Sequence, residues 1–469
     1  KMTFKNVSVK GTDGSYIKGY CSTAGVSGQI QNVATYENVH TDIDVYAVTF
    51  GAGGIAGIVT QGSTFTNCSS AGDITLDASK TQLSSYSANY PYRVGGIAGC
   101  WSESATGVLT LTDCTYTGNL TSIDRDGNTP QTLDYAGYVG RGYTLNGCAG
   151  SKVVIDGVEY VQAYNTAAEA GIYIVDGVLE IASAAALRTL ATNVNNGKTS
   201  EGQTVRLTND IDLNNAEWTP IGNSTNQFQG TFDGNNKTIS NLVITGNNSN
   251  VGLFGMTTNG EIKNLTVNNA KVSGDLNVAV VAGTPYTSKY TNINVTGHVE
   301  VNGFAYVGAV GGKNAYANWE NVTVDVDETS YVNANSVEDG TAYRTYVGGV
   351  CGFNGEGGHS FKNISSNIDV TGSTIDVGGL FGIAHYGNNF VNCSCSGDVE
   401  ITAAAEAADA EEIGGIAGVW NNGGADVTFD GCSFTGTLKT NITEGVDLSD
   451  NTIVGKAYSA SGTGKLIIK

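Results

Sequence analysis

Apolar residues in this chain fall in short runs broken by glycine, and the runs recur as three phrases in a fixed order. The first is "VGGLFG" at 377–382, with copies such as "GGIAG" at 53–57 and 95–99, "VGLFG" at 251–255 and "VGGVCG" at 347–352. The second runs apolar, any residue, Asn or a substitute, then apolar or Cys: "FKNVS" at 4, "IQNVA" at 30, "FTNCS" at 65, "LTDCT" at 111, "LNGCA" at 145, "IKNLT" at 262, "WENVT" at 319, "FVNCS" at 390. The third is a turn and a strand. Asp73, Asn119, His298, Asp398 and Thr437 form a polar column in it, and Ile74, Leu120, Val299, Val399 and Leu438 an apolar one. Period-two alternation of this kind predicts strands with one face buried and one wet.

Such a strand cannot bury its own apolar face, but stacking one repeat on the next makes a continuous core. The last glycines of successive first phrases, Gly255, Gly283, Gly311, Gly352, Gly382, Gly418 and Gly455, stand 28 to 41 residues apart. A period that loose suits coils that accept insertions. The pattern predicts an all-β fold, a right-handed parallel β-helix, with Asn over Asn at one corner in a ladder of side-chain amides. Glycine is expected where the backbone takes positive φ or passes close to a neighbouring coil.

Residues 171 to 250 interrupt the repeat. "SAAALRTLATNVNNG" (183–197) carries Leu187, Leu190, Ala191 and Val194 at helical spacing, with Ser183 at the N-cap and Gly197 past the end. An amphipathic helix there would cover the open end of a strand stack. Two modules are predicted: 1–165, and 171–469 with helix 183–197 as its cap. The first begins inside a repeat, so the chain is expected to be part of a longer protein.

Composition sharpens the picture. Of 469 residues 65 are glycine and four proline, 40% are apolar and 14% charged, which suits strands and turns rather than disorder. Forty-four acidic residues against 23 basic ones give a net charge of −21. That field makes nucleic acid and anionic membrane poor partners. No apolar run is long enough to span a bilayer.

"NDIDLNNAEWTPIGN", "FQGTFDGNNKTISNLVI", "VGLFG" and "GEIKNLTV" together resemble the GLUG-motif repeats of large bacterial cell-surface proteins, and the likeness covers nearly the whole chain. It implies a secreted or surface-displayed, adhesin-like bacterial protein. Related repeats accompany an immunoglobulin A-cleaving metallopeptidase, whose His-Glu-x-x-His zinc motif is absent here.

Candidate chemistry is thin. Nine cysteines occur; Cys68, Cys114, Cys148, Cys393 and Cys432 replace the aliphatic residue of the second phrase and read as buried thiols. The histidines, His40, His298, His359 and His385, are scattered and make no zinc cluster. No catalytic, cofactor or metal residues are assigned. Carboxylates that a polysaccharide lyase or hydrolase would need are Asp210 and Asp212, Asp325 and Asp327, and the Asp73/Asp398 column. Trp319 and Trp218 read as structural. Trp101 and Trp420 share a slot filled elsewhere by Val59, Thr257, Pro285, Lys313, Asn354 and Ala384, which suggests an outward position and ligand contact. Segments 77–93 and 327–346, rich in Tyr and Asn, are the loops suited to recognition. The expected function is a non-catalytic adhesin or stalk, monomeric, binding a host or plant glycan, a mucin or a surface protein. A polysaccharide-active enzyme and a passive spacer are the alternatives.

Overall fold

The structure is a computed structural model. It describes all residues except 85–89, 103–107, 129–136, 143–151, 163–171, 176, 339–340, 356, 443 and 459–461. The chain is mostly β-strand, with few and short helices among the described residues. It divides into two compact units, Lys1–Ala186 and Leu187–Lys469.

In the second unit the second phrases form strands that pair in parallel and in register. They include Thr231–Ile244, Glu261–Ser273, Lys289–Gly303, Asn318–Val326, Ser360–Ser366, Asn389–Val391 and Val427–Asp430. Their first apolar residues make one column: Phe232, Ile262, Tyr290, Trp319, Phe361, Phe390 and Phe429. All seven are buried. Identical rings stack where they repeat, Phe361 on Phe390 at 5.1 Å and Phe390 on Phe429 at 4.7 Å. The first unit repeats the scheme through Phe4, Tyr36, Phe65, Leu111 and Ile155.

The residue two places after each ring turns the corner. Asn264, Asn292, Asn321, Asn363 and Asn392 all hold φ between 53° and 57°. That left-handed region is costly for most side chains and least so for Asn and Gly. Each amide then donates to the carbonyl oxygen of the Asn one rung back: Asn292 to Asn264 at 2.9 Å, Asn321 to Asn292 at 2.9 Å, Asn363 to Asn321 at 2.8 Å, Asn392 to Asn363 at 3.3 Å. Asn6, Asn38 and Asn67 do the same in the first unit. The expected copy "IQNVA" at 30 is displaced, because Tyr36–Val39 takes that register and Asn38 the corner. "LNGCA" at 145 lies outside the described residues.

The first phrase is split between two further sheets. Val377–Gly378 and Phe381–Ala384 are separate strands, with Gly379 and Leu380 turning between them. A Cβ on Gly378 would run into the Phe381 carbonyl, and one on Gly379 into the carbonyl of Gly415 on the next rung. Close backbone stacking at this corner is why the motif needs glycine.

Antiparallel strands and a helix interrupt the parallel stack, and in the second unit Val337–Glu338 pairs antiparallel with Thr341–Ala342. In the first unit, Lys152–Ile155, Val158–Gln162, Ile172–Val175 and Val178–Ile181 pair antiparallel, so the sheet is mixed. Asp156 and Gly157 turn the first of these hairpins with φ 48° and 85°. The helix is Ala184–Asn195; the Ala186 N–H donates to Ser183 Oγ at 3.1 Å, and Gly197 closes it at φ 99°. Leu187, Leu190, Ala191 and Val194 are buried. Arg188 donates to the carbonyls of Ala216 and Glu217, and Asn195 bonds Pro220, Gly222 and Asn226, fastening the helix to residues 216–226.

Candidate functional site

The slot shared by Trp101 and Trp420 faces inward, which corrects the expectation of an outward position. Trp101 pairs with Val59 and is 0% exposed among Ile97, Leu109 and Val139. In the second unit the register puts Asn314, not Lys313, opposite Asn354. Both asparagines are buried, and Asn314 donates to Asn354 Oδ1 at 3.1 Å. A polar residue survives there because its neighbour above is the same residue. Trp420, between Ala384 and Ala457, is half-buried. Trp319 and Trp218 are buried, the Trp218 indole donating to the Leu253 carbonyl at 3.0 Å.

The acidic candidates are occupied by N–H groups of the backbone and of asparagine side chains. Asp44 accepts from the Asp73 N–H, Asp73 from Asn119, Asp369 from Asp398 and Asp398 from Thr437, each at 2.8 Å. Asp210 accepts from the Thr238 N–H, Asp212 from the Asn214 N–H of its own turn and the Asn241 side-chain amide one rung on, and Asp325 from the Asn367 side-chain amide. These carboxylates hold one rung to the next.

His298 stands where paired acids and a base do meet. Its Nδ1 lies 3.2 Å from Asp327 and its Nε2 3.1 Å from Glu300, which also binds Lys271 at 2.8 Å. Hydrogen bonds donated to Glu300 and Asp327 raise the imidazole above its usual range. Lys271 and His298 hold Glu300 below the usual carboxylate value, and the Thr329 hydroxyl together with His298 does so for Asp327. Both acids are therefore ionised at neutral pH, the opposite of what a general acid needs. Among the described residues no three His, Cys, Asp or Glu side chains are grouped to hold a metal ion.

Asp376 and Glu412 are the reverse case. Burial pushes Asp376 up to about 6 and Glu412 up to about 7, while Arg344 grips Asp376 at 2.6 and 2.7 Å and Glu412 at 3.0 Å. Asp376 is wholly buried, which makes this an internal tie between rungs.

An open flank of the first unit carries a row of aromatic and charged side chains. Strands Tyr16–Ala24, Asp44–Gly53 and Ile74–Asp77 pair in parallel, aligning Ile17, Val45 and Ile74 inward and Lys18, Tyr46 and Thr75 outward. Alternation leaves Tyr16 65% and Tyr20 45% exposed on one strand, with Lys18 between them. Neighbouring outward residues of a strand stand roughly 6.6 Å apart. The Lys18 ammonium lies 4.8 Å from the centre of the Tyr46 ring. Tyr46 donates to Asp77 at 2.7 Å, and burial together with that bond pushes its phenol up to about 12. Against the upward push of burial, Ser79 and Tyr46 hold Asp77 below its usual range. The Gln82 N–H donates to the Tyr20 hydroxyl at 2.8 Å, so part of the 77–93 segment orders that ring. Between these side chains runs an open groove of about 440 Å³ lined by Tyr16, Lys18, Asp44, Tyr46, Asp73 and Thr75.

Sequence reasoning passed over this row. The signal was present in "YIKGYC", where the wet positions of an alternating strand hold two tyrosines and a lysine.

The fold and these side chains define a β-rich repeat protein with an aromatic flank. No known family's sequence profile matches the chain. It is 37% identical over 123 residues to halomucin of Haloquadratum walsbyi, an alignment covering 23% of this chain and 1% of halomucin's length. A crystal structure from Bacteroides ovatus, described provisionally as an immunoglobulin A1 protease, is similar at a TM-score of 0.35 and 17% identity, over 62% of this chain and 84% of that one. No helix among the described residues is long and apolar enough to cross a membrane.

Proposed function

We propose that this chain is part of a secreted or surface-displayed bacterial protein of the GLUG-motif kind, coiled as a right-handed parallel β-helix. It binds glycan on its flank without catalysis. The parallel, in-register pairing and the Asn corners support the coil. The partial likeness to a protein named halomucin supports the surface setting.

The observation that carries the binding reading is the row Tyr16, Lys18, Tyr20 and Tyr46 beside an open groove. Aromatic faces pack against the apolar faces of sugars, and the Lys18 ammonium offers a charged partner to sugar hydroxyls. Little of this row is folded into the core, so it can receive a ligand without rearranging the stack.

A glycan and mucin array tests it, using the chain, Tyr16→Ala and Tyr20→Ala. Selective binding that weakens about tenfold in either variant is expected, the loss of an aromatic contact worth ~1 kcal/mol or more. Binding that persists in both variants would move the site elsewhere. Polysaccharide that shortens under the protein would replace the adhesin by an enzyme.

A further inference from the structure

Two pairs of cysteines stand in register, one pair in each unit. Cys68 lies against Cys114 between the paired positions Thr66–Thr112 and Ser69–Thr115. Cys393 lies against Cys432 between Val391–Asp430 and Ser394–Ser433. The residue after each second cysteine donates its N–H to the carbonyl of the first at 2.9 Å. All four are free thiols.

The setting repeats atom for atom. Each thiol reaches a carbonyl of the preceding rung at 3.6 Å: Tyr36 for Cys68, Phe65 for Cys114, Phe361 for Cys393 and Phe390 for Cys432. A left-handed residue precedes each, Asn67, Asp113, Asn392 and Gly431. In-register neighbours in a parallel pair lie ~4.8 Å apart, within the ~4.4–6.8 Å between Cα atoms that a disulfide spans. Unrotated Cβ atoms at that spacing are slightly too far for the bond. Each thiol now points to backbone carbonyls, so closure needs both side chains to turn from them toward one another about χ1.

We propose that each pair is a redox site that closes into a disulfide between neighbouring rungs when a mild two-electron oxidant, a peroxide, is present. The thiolate of one cysteine attacks a peroxide oxygen; an S–O bond forms, the O–O bond breaks, and the leaving hydroxide takes a proton to become water. The second cysteine, giving up its proton, attacks the sulfenic sulfur; the S–S bond forms, the S–O bond breaks, and a second water leaves. The two sulfurs together lose two electrons and the peroxide gains them.

Electrostatics names the first attacker. Within each pair the partner thiol acts unequally, shifting Cys68 and Cys432 down and Cys114 and Cys393 up. A thiolate fraction near neutrality is what exchange and oxidation require. Cys432 is half-buried and within reach of solvent. Cys351 and Cys395 have no such neighbour, and burial pushes both up to about 12.

Oxidation of the folded chain with a small excess of hydrogen peroxide, blocking of remaining thiols, digestion and mass mapping test this. Two linked peptides are expected, Cys68 with Cys114 and Cys393 with Cys432, each lighter by two hydrogens, reversible by a dithiol, with a higher melting midpoint than the reduced protein. Cys432→Ser keeps the first link and loses the second. Pairs that remain alkylatable after peroxide, go to sulfinic acid unlinked, or join other partners would overturn the proposal. The mapping reads no glycan binding, so it stands or falls apart from the reading above.

Discussion

Asn321 offers the sharpest test of why the corners are asparagine. It holds φ 57°, donates to Asn292 at 2.9 Å and accepts from Asn363 at 2.8 Å. Asn321→Ala removes both hydrogen bonds, each worth ~0.5–1 kcal/mol at an exposed site. It also forces a Cβ residue with no compensating side chain into the left-handed region, for ~1 kcal/mol more. The expected cost is about 2–3 kcal/mol. Asn321→Gly loses the same bonds but accepts the backbone freely, and should cost about 1–2 kcal/mol. The difference isolates the conformational part. Repeat arrays need not unfold in one step, so the assay should read this rung. Hydrogen exchange of the Val322–Val324 amides does so, supported by fluorescence of the buried Trp319 two residues before the corner. A glycine variant as costly as alanine would refute the backbone argument. An alanine cost below ~0.5 kcal/mol would refute the ladder as a source of stability.

Trp101→Ala should destabilise the first unit by ~3–5 kcal/mol, because a fully buried indole leaves a cavity, whereas half-buried Trp420→Ala should cost clearly less; denaturant midpoints of the two variants check the order. Gly379→Ala should lower the melting midpoint sharply, since the added Cβ meets the Gly415 carbonyl; an unchanged midpoint would mean that the corner can open. The Asp376–Glu412 tie makes a pH prediction. Both carboxyls are held above their ordinary values, at about 6 and about 7, so the folded chain binds their protons more firmly than the unfolded one. Their contribution to stability is complete below about pH 4 and is lost as pH rises through 6 to 7. Asp376→Asn should flatten that fall in a series of melting midpoints, and parallel curves for variant and parent would contradict it.

Much of the fold was legible because a stack writes the same contacts repeatedly. The columns Phe232 to Phe429 and Asn264 to Asn392 recur in the chain as phrases before any contact is known, since each rung's neighbour is another copy of itself. The helix was legible for the local reason that caps and apolar spacing belong to one short segment. The hairpins were legible too, in "VVIDGVEY" and "IYIVDGVLEI", where Asp-Gly divides alternating runs. They were passed over beside the stronger repeat.

By itself, then, the sequence determined the β-rich repeat, the asparagine corners, the glycine turns and the helix at 184–195. Only the tertiary structure decided which way each slot faces. Strand alternation is relative, so a one-residue offset exchanges inside for outside. Such an offset put Asn314 rather than Lys313 in the tryptophan slot, and the facing of the whole slot toward the interior made Trp101 core. Whether two cysteines meet, and whether a carboxylate is free or accepts the next rung's N–H, depends on register between segments far apart in the chain. The tyrosines of the first unit's flank became a surface only once strands Tyr16–Ala24 and Asp44–Gly53 lay side by side, because a groove is made by neighbours and not by any one strand.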